Sequence, residues 1–367
     1  MKDEPEALTP NQRFPGKLVA AVWSTRLGKS TAIYATSIIV ITSALAIGAS
    51  WQLGVLALIL LVLIGVALLL THLVERYGYP FLEQASAASL RWLRARDYRE
   101  TRSAHDLLQG LGAELPLILL LLAAAMGGVW LFLGVIEDVV SGDPLVIVDQ
   151  KLFQFLQVLR SPTADALLIA ITELGDRSVI LPVVIVTTGA LLLIRRWWAA
   201  LYVVIAALCS TLFVHGMKLV LHRPRPLHLY DGISEFSFPS GHATSSIVVY
   251  GFLAILLARS ATPALRRALI SITLSLIVLI AFSRLYLGAH WLSDVGAGMA
   301  FGTALIASLA MLYLRQDQEP LPSSRLAGLL ALTVIIAGTW HITQSYALDK
   351  ARYAPPKVMP SSGVQSQ

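Results

Sequence analysis

Four short clusters in the second half of the chain gather residue types that are costly beside apolar helices: Lys218 with Arg225-Pro226, Pro239-Ser240-Gly241-His242, Ser283-Arg284, and His290 with Asp294. They supply two histidines, one carboxylate and three permanent cations. That inventory suits phosphoryl transfer without a metal, with imidazoles as nucleophile and proton carrier and fixed positive charge for the phosphoryl oxygens. Charge in or beside apolar spans is expensive, so a cluster of it marks a functional site.

Each piece also has an ordinary structural reading. Lys218 ends an apolar run, where a lysine commonly snorkels to the headgroups. Pro239, Ser240 and Gly241 sit at the mouth of the run that resumes after His242, as helix-start residues do. The same mouth presents N–H groups and a helix dipole to an anion. His242 alone reads as an interfacial histidine bonded to a loop carbonyl. His290 and Asp294 are four residues apart, which on a helix puts them on one face, one turn apart. The carboxylate can then take the Nδ1–H and leave Nε2 with the free lone pair, or the pair merely caps and packs.

The elements that must position these residues are apolar helices. Of 367 residues, 56% are hydrophobic and 14% charged, with a mean hydropathy of +0.71, far from a soluble domain. The fold class is an all-α polytopic membrane protein. Runs long enough to cross a hydrocarbon core fall near 30–50, 53–74, 115–135, 178–195, 198–219, 243–260, 268–284, 291–314 and 326–344, nine in all. Residues 1–29 form a polar N-terminal segment without a removable signal peptide, and 75–114 a basic connector, either a solvated link or an amphipathic helix on anionic headgroups. Residues 145–159 have roughly helical spacing and read as an interfacial helix or a cap on the bundle; the Pro- and Ser-rich tail, 348–367, is expected to be disordered.

Basic residues set an orientation. Arg13, Lys17, Arg26 and Lys29, the arginines from Arg91 to Arg102, Arg195-Arg196, Arg259 with Arg266-Arg267, and Arg315 with Arg325 all fall on one side if every span crosses once. That side is the cytoplasm by the positive-inside rule, and the N-terminus lies there. All four clusters fall on the opposite side. The net charge of +6 therefore reflects topology, and no aromatic-interleaved patch points to nucleic acid. The single cysteine, Cys209, lies in an apolar run, so there is neither a disulfide framework nor a cysteine metal site.

Taken together, Lys218 with Arg225-Pro226, Pro239-Ser240-Gly241-His242, and Ser283-Arg284 with His290 and Asp294 resemble the three-part signature of the type 2 phosphatidic acid phosphatase (PAP2) superfamily. The resemblance covers about 115–314, which implies a six-helix phosphatase core, with 30–74 as a two-span N-terminal hairpin and 326–344 as one additional C-terminal span. It implies His290 as nucleophile, Asp294 as its orienting carboxylate, and His242 as acid and then base. Lys218, Arg225, Ser240, Gly241 and Arg284 would bind the phosphate, with no metal and no cofactor. A double Arg-Pro step occurs in the first cluster; spacing from Lys218 selects Arg225, and Arg223 reads as a basic interfacial loop residue or a helper. His222, His228 and Asp231 are read as structural, and His72, His105, His215 and His341 receive no catalytic role.

The implied activity is hydrolysis of a phosphorylated or pyrophosphorylated lipid at the outer face of a bacterial cytoplasmic (inner) membrane. Undecaprenyl pyrophosphate, phosphatidic acid, phosphatidylglycerol phosphate and phosphorylated lipid A are the lipids the resemblance suggests. A lipid phosphotransferase using the same phosphohistidine is an alternative, as is a lipid transporter or binding protein with a phosphatase-like core. The superfamily's vanadium-dependent haloperoxidases are soluble, which apparent spans argue against.

Overall fold

The computed structural model describes residues 50–95, 115–142, 144–314 and 320–355. Two compact units divide the chain, residues 1–61 and 62–367. Of the first, the described part is the apolar opening of helix α1 (Trp51–Leu73). The second contains the whole candidate site.

A π-helical turn, Val74–Gly78, leads from α1 into α2 (Tyr79–Ala95). Then follow α3 (Leu115–Ser141), α4 (Pro144–Val158), α5 (Pro162–Glu173), α6 (Arg177–Leu193) and α7 (Trp197–Leu221). Two short helices, α8 (Gly241–Ser246) and α9 (Phe252–Ala258), are joined by a π-helical turn into one interrupted span. Helices α10 (Pro263–Tyr286), α11 (Leu292–Leu314) and α12 (Ser323–Arg352) complete the order. Among the described residues, eight stretches are long and apolar enough to cross a membrane. The protein is an all-helical, multi-pass membrane protein.

Each expected span from 53–74 onward falls on one of these stretches, whereas the expected span 30–50 lies outside the described residues. Three boundaries differ in ways that matter. The span expected at 178–195 belongs to a longer stretch, Pro162–Leu193, broken between α5 and α6. The connector after 75 is helical through Ala95, the part beyond lying outside the described residues. The tail expected from 348 is helical through Arg352, and Tyr353 is buried; residues 356–367 lie outside the described residues.

Helix starts follow their sequence signals. Ser161 and Thr262 cap α5 and α10 ahead of Pro162 and Pro263, where a missing N–H costs nothing. Asp176 caps α6 by accepting from Ser178 N at 2.7 Å. The break before it passes through Gly175, where a Cβ would lie 2.6 Å from Ile280 Cγ2 and 3.0 Å from Ser246 Oγ. Only a glycine lets this backbone approach so closely, and the interruption brings the polar Glu173 and Asp176 to mid-span, against the site.

Helices pack through small residues, as expected where lipid offers no hydrophobic drive. Gly128 of α3 faces the Ala300 carbonyl of α11, and Gly298 of α11 faces α8. A Cβ on Gly298 would sit 2.5 Å from Thr244 Oγ1 and 3.1 Å from the Ser240 carbonyl. Those two atoms are themselves bonded at 2.8 Å, so neither can yield freely. Gly298→Leu should therefore lower stability by about 1–3 kcal/mol through overpacking, seen as a reduced thermal unfolding temperature in detergent; an unchanged transition would show that this contact does not hold α8 against α11.

Candidate active site

The loop after α7, the start of α8, the end of α10 and the turn before α11 meet at one cavity of about 460 Å³. Six of the eight expected site residues line it: Lys218, Arg225, Gly241, His242, Arg284 and His290. Ser240 and Asp294 are fully buried behind its wall. A larger groove of about 570 Å³ carries no histidine or carboxylate, so it lacks this chemistry.

The three cations share one property. Lys218 Nζ donates to the Phe236 carbonyl at 2.6 Å. Arg225 donates through Nε to the Ser234 carbonyl at 2.9 Å, and through Nη1 to the Ala289 carbonyl at 2.5 Å. Arg284 donates through Nη1 to Thr172 Oγ1 and Tyr353 Oη, both at 2.9 Å, and through Nη2 to Tyr230 Oη at 3.0 Å. Every one of these acceptors is neutral. By contrast, Arg160 and Arg223 form ion pairs with carboxylates. The cavity cations are thus oriented without being neutralised, which suits a dianionic ligand.

His290 stands in the turn before α11 and reaches Asp294 in the helix's first turn. This corrects the expectation that both lie on one helical face. Its Nδ1 is 3.4 Å from Asp294 Oδ2, which also accepts from the Trp291 N–H at 2.9 Å. On the other side of the ring Arg225 Nη1 lies 2.8 Å from His290 Nε2. Arg225 can only donate, so Nε2 accepts from it through its lone pair and the ring proton falls on Nδ1, on the side of Asp294. Burial, followed by the charges of Arg225, Arg284 and Lys218, holds this imidazole well below its usual value of 6.5. It is therefore neutral at physiological pH, the form a nucleophile requires. Burial and the Arg284 charge lower Arg225 to about 10, so it stays charged there.

His242, the second residue of α8, has Nε2 3.8 Å from Asp176 Oδ2, and both residues line the cavity. Ser240 acts as the α8 cap, its Oγ accepting from Ala243 N at 3.5 Å while its own N–H donates to the Asp294 carbonyl at 3.0 Å. Its place is thus in the wall, tying α8 to α11. Gly241 brings backbone to the cavity surface.

Several contributors were not legible as such. Arg223, read as an interfacial loop residue, bridges Asp294 Oδ1 at 2.7 Å and Asp149 Oδ2 at 2.8 Å. Asp149 also accepts from Ser293 N at 2.9 Å. The expected interfacial helix, α4, thus supplies a buried carboxylate to the network behind His290. His341 of α12 lies 2.8 Å from Glu173 Oε2 and 3.5 Å from Asp176 Oδ1. The ligand atoms of Glu173, Asp176 and His341 all lie within 4.8 Å of one another, near enough to hold a cation, although Glu173 and His341 already face each other at 2.8 Å. His222 closes α7 in a left-handed conformation (φ 46°) and packs edge-on against Phe236, in keeping with a structural role.

Residues 196–318 match the family model described as the PAP2 superfamily. Phosphatidylglycerophosphatase B of Bacillus subtilis (strain 168) is 27% identical over 184 residues, covering 48% of this chain and 88% of that protein. The lipid A 1-phosphatase of Rhizobium etli is 33% identical over 117 residues, 29% of this chain and 47% of that protein, so the match spans less than half of this second relative's length. Among solved structures, the crystal structure of a transmembrane PAP2 type phosphatidylglycerolphosphate phosphatase from Bacillus subtilis is 25% identical and covers 52% of this chain and 98% of that one, with a TM-score of 0.47.

Because Asp149 and Asp294 are both buried and share Arg223, replacing that arginine strands two carboxylates. Arg223→Met should destabilise the protein by about 3–5 kcal/mol, read as a large drop in thermal unfolding temperature. A transition within a degree of wild type would show that the bridge is not formed.

Proposed function

We propose that this chain, a PAP2 superfamily member through residues 196–318, is a membrane lipid phosphatase that works through a phosphohistidine. The observation that carries the reading is the convergence on one cavity of a neutral, carboxylate-backed imidazole, a second imidazole and three cations with neutral partners.

In the proposed reaction the substrate's phosphoryl oxygens take the N–H donors of Lys218, Arg225 and Arg284. Arg225 then turns its Nη1 donor from His290 Nε2 to a phosphoryl oxygen, freeing the lone pair. His290 Nε2 attacks phosphorus in line, the phosphorus–oxygen bond to the leaving group breaks, and protonated His242 gives that oxygen its proton. Asp294 stabilises the positive charge that develops on the His290 ring. Neutral His242 next takes a proton from water as the water oxygen attacks phosphorus, the nitrogen–phosphorus bond breaks, and phosphate leaves. Positioning and charge neutralisation dominate phosphoryl transfer, and three fixed cations supply the charge that a metal ion supplies elsewhere.

The substrate we infer is a lipid bearing a terminal phosphate or pyrophosphate. Phosphatidylglycerol phosphate and phosphorylated lipid A are the first to test, given the relatives' names. The distribution of basic loops supports a site on the non-cytoplasmic face of a bacterial inner membrane.

The test is phosphate release by the full chain in detergent from phosphatidylglycerol phosphate, lipid A phosphate, phosphatidic acid and undecaprenyl pyrophosphate. Wild type should release phosphate from at least one, at a rate indifferent to EDTA. His290→Ala should lower that rate by about 10⁴-fold or more. Full activity in the variant, or loss of wild-type activity to the chelator, would overturn this mechanism.

A further inference from the structure

Arg284 has five N–H donors. Three are committed, two from Nη1 to Thr172 Oγ1 and Tyr353 Oη and one from Nη2 to Tyr230 Oη. The Nε–H has no partner among the described residues, although the residue is only 1% exposed. The two remaining donors, Nε–H and the second N–H of Nη2, lie on the same edge of the guanidinium. That edge binds an oxyanion bidentately, and its residue lines the catalytic cavity.

The two phenols that set this geometry form a unit. Tyr230 and Tyr353 hydrogen-bond each other through their hydroxyls. The Tyr230 ring also carries the Arg225 guanidinium 4.6 Å from its centroid and the Arg352 guanidinium at 5.2 Å. One tyrosine therefore orients two of the three cavity cations, one through its hydroxyl and one through its ring. Tyr353 is 1% exposed, and its carbonyl accepts from Arg160, which is itself paired with Asp165 at 2.6 Å. Burial pushes the Tyr353 phenol above its usual value, so it remains neutral. Neutral acceptors fix an arginine while leaving its charge for the ligand, which a carboxylate in the same place would cancel.

We infer that Tyr230 and Tyr353 are positioning residues for the phosphoryl-binding site, holding Arg284 with its Nε edge turned to the oxyanion and seating Arg225 beside it. This inference rests on the proposed phosphatase reading. Tyr353 follows α12, beyond the matched segment 196–318, so the added C-terminal span is a working wall of the site. A second contact from the same helix, His341 against Glu173 and Asp176 beside His242, places α12 at the site independently.

The test uses the full chain in detergent and orthovanadate as a phosphoryl mimic, with affinity measured by calorimetry beside turnover of whichever lipid wild type hydrolyses. Tyr353→Phe and Tyr230→Phe keep ring and shape while removing the hydroxyl. Each should weaken vanadate binding about tenfold, equivalent to about 1.4 kcal/mol, and lower kcat more than it raises KM, with unfolding temperatures near wild type. The double variant should lose less than the product of the two, because both hydroxyls act on Arg284. Tyr230→Phe substitutes no residue of α12 or its end, so it decides the matter if Tyr353→Phe fails to fold. Vanadate affinity within twofold of wild type in folded variants would overturn the inference alone. Failure of wild type to bind vanadate or to release phosphate would instead overturn the phosphatase reading.

Discussion

Three like charges drawn together under partial burial are the constraint on which the rest of the structure depends. Among the described residues, Lys218, Arg225 and Arg284 are each met by carbonyls, hydroxyls or an imidazole, and by no carboxylate. Such a cluster is costly when empty and favourable around an anion, since an unneutralised cation in a low-dielectric setting interacts strongly with a charge that arrives. Arg223 shows the contrast two residues from Arg225: its charge is consumed by Asp149 and Asp294, and it serves the scaffold. Partner type separates the cavity cations from the scaffold arginine more sharply than position along the chain does.

The scaffold answers that constraint from several directions. Ser240 N bonded to the Asp294 carbonyl ties α8 to α11, and the Gly298 contact keeps them close. Asp149 of α4, through Arg223, backs the carboxylate that backs His290. The glycine at 175 allows the α5–α6 break to deliver Asp176 to His242. Each link joins elements distant in sequence, so the orientation of His290 depends on packing well away from the loop that carries it.

Much of this was legible in the sequence. Continuous apolar runs fixed the spans because lipid-facing and bundle-facing residues are both apolar, and length alone then decides. Spacing picked out Lys218, Arg225, His242, Arg284 and His290, which do share a cavity. Spacing failed where the contact is tertiary. Spacing from Lys218 separated Arg225 from Arg223 in the Arg-Pro-Arg-Pro run, but the bridging role of Arg223 depends on the buried Asp149, which no spacing reveals. Tyr230 and Tyr353, 123 residues apart, carry no pattern of their own. The proline-rich composition after Leu348 masked a helix whose end is held by Arg160. Asp176 caps α6 as helix-start carboxylates do, and nothing in the sequence pointed from it to His242.

The central claim is that the neutral His290 Nε2 receives the phosphoryl group. Rapid quenching of the wild-type chain during turnover of a ³²P-labelled phosphorylated lipid, followed by peptide mapping, tests it most directly. The account predicts label bound covalently on the peptide containing His290, absent in His290→Ala and reduced in His242→Ala, which lacks the acid for the step that forms it. Turnover with no labelled peptide in either protein, or label on a different residue, would contradict it.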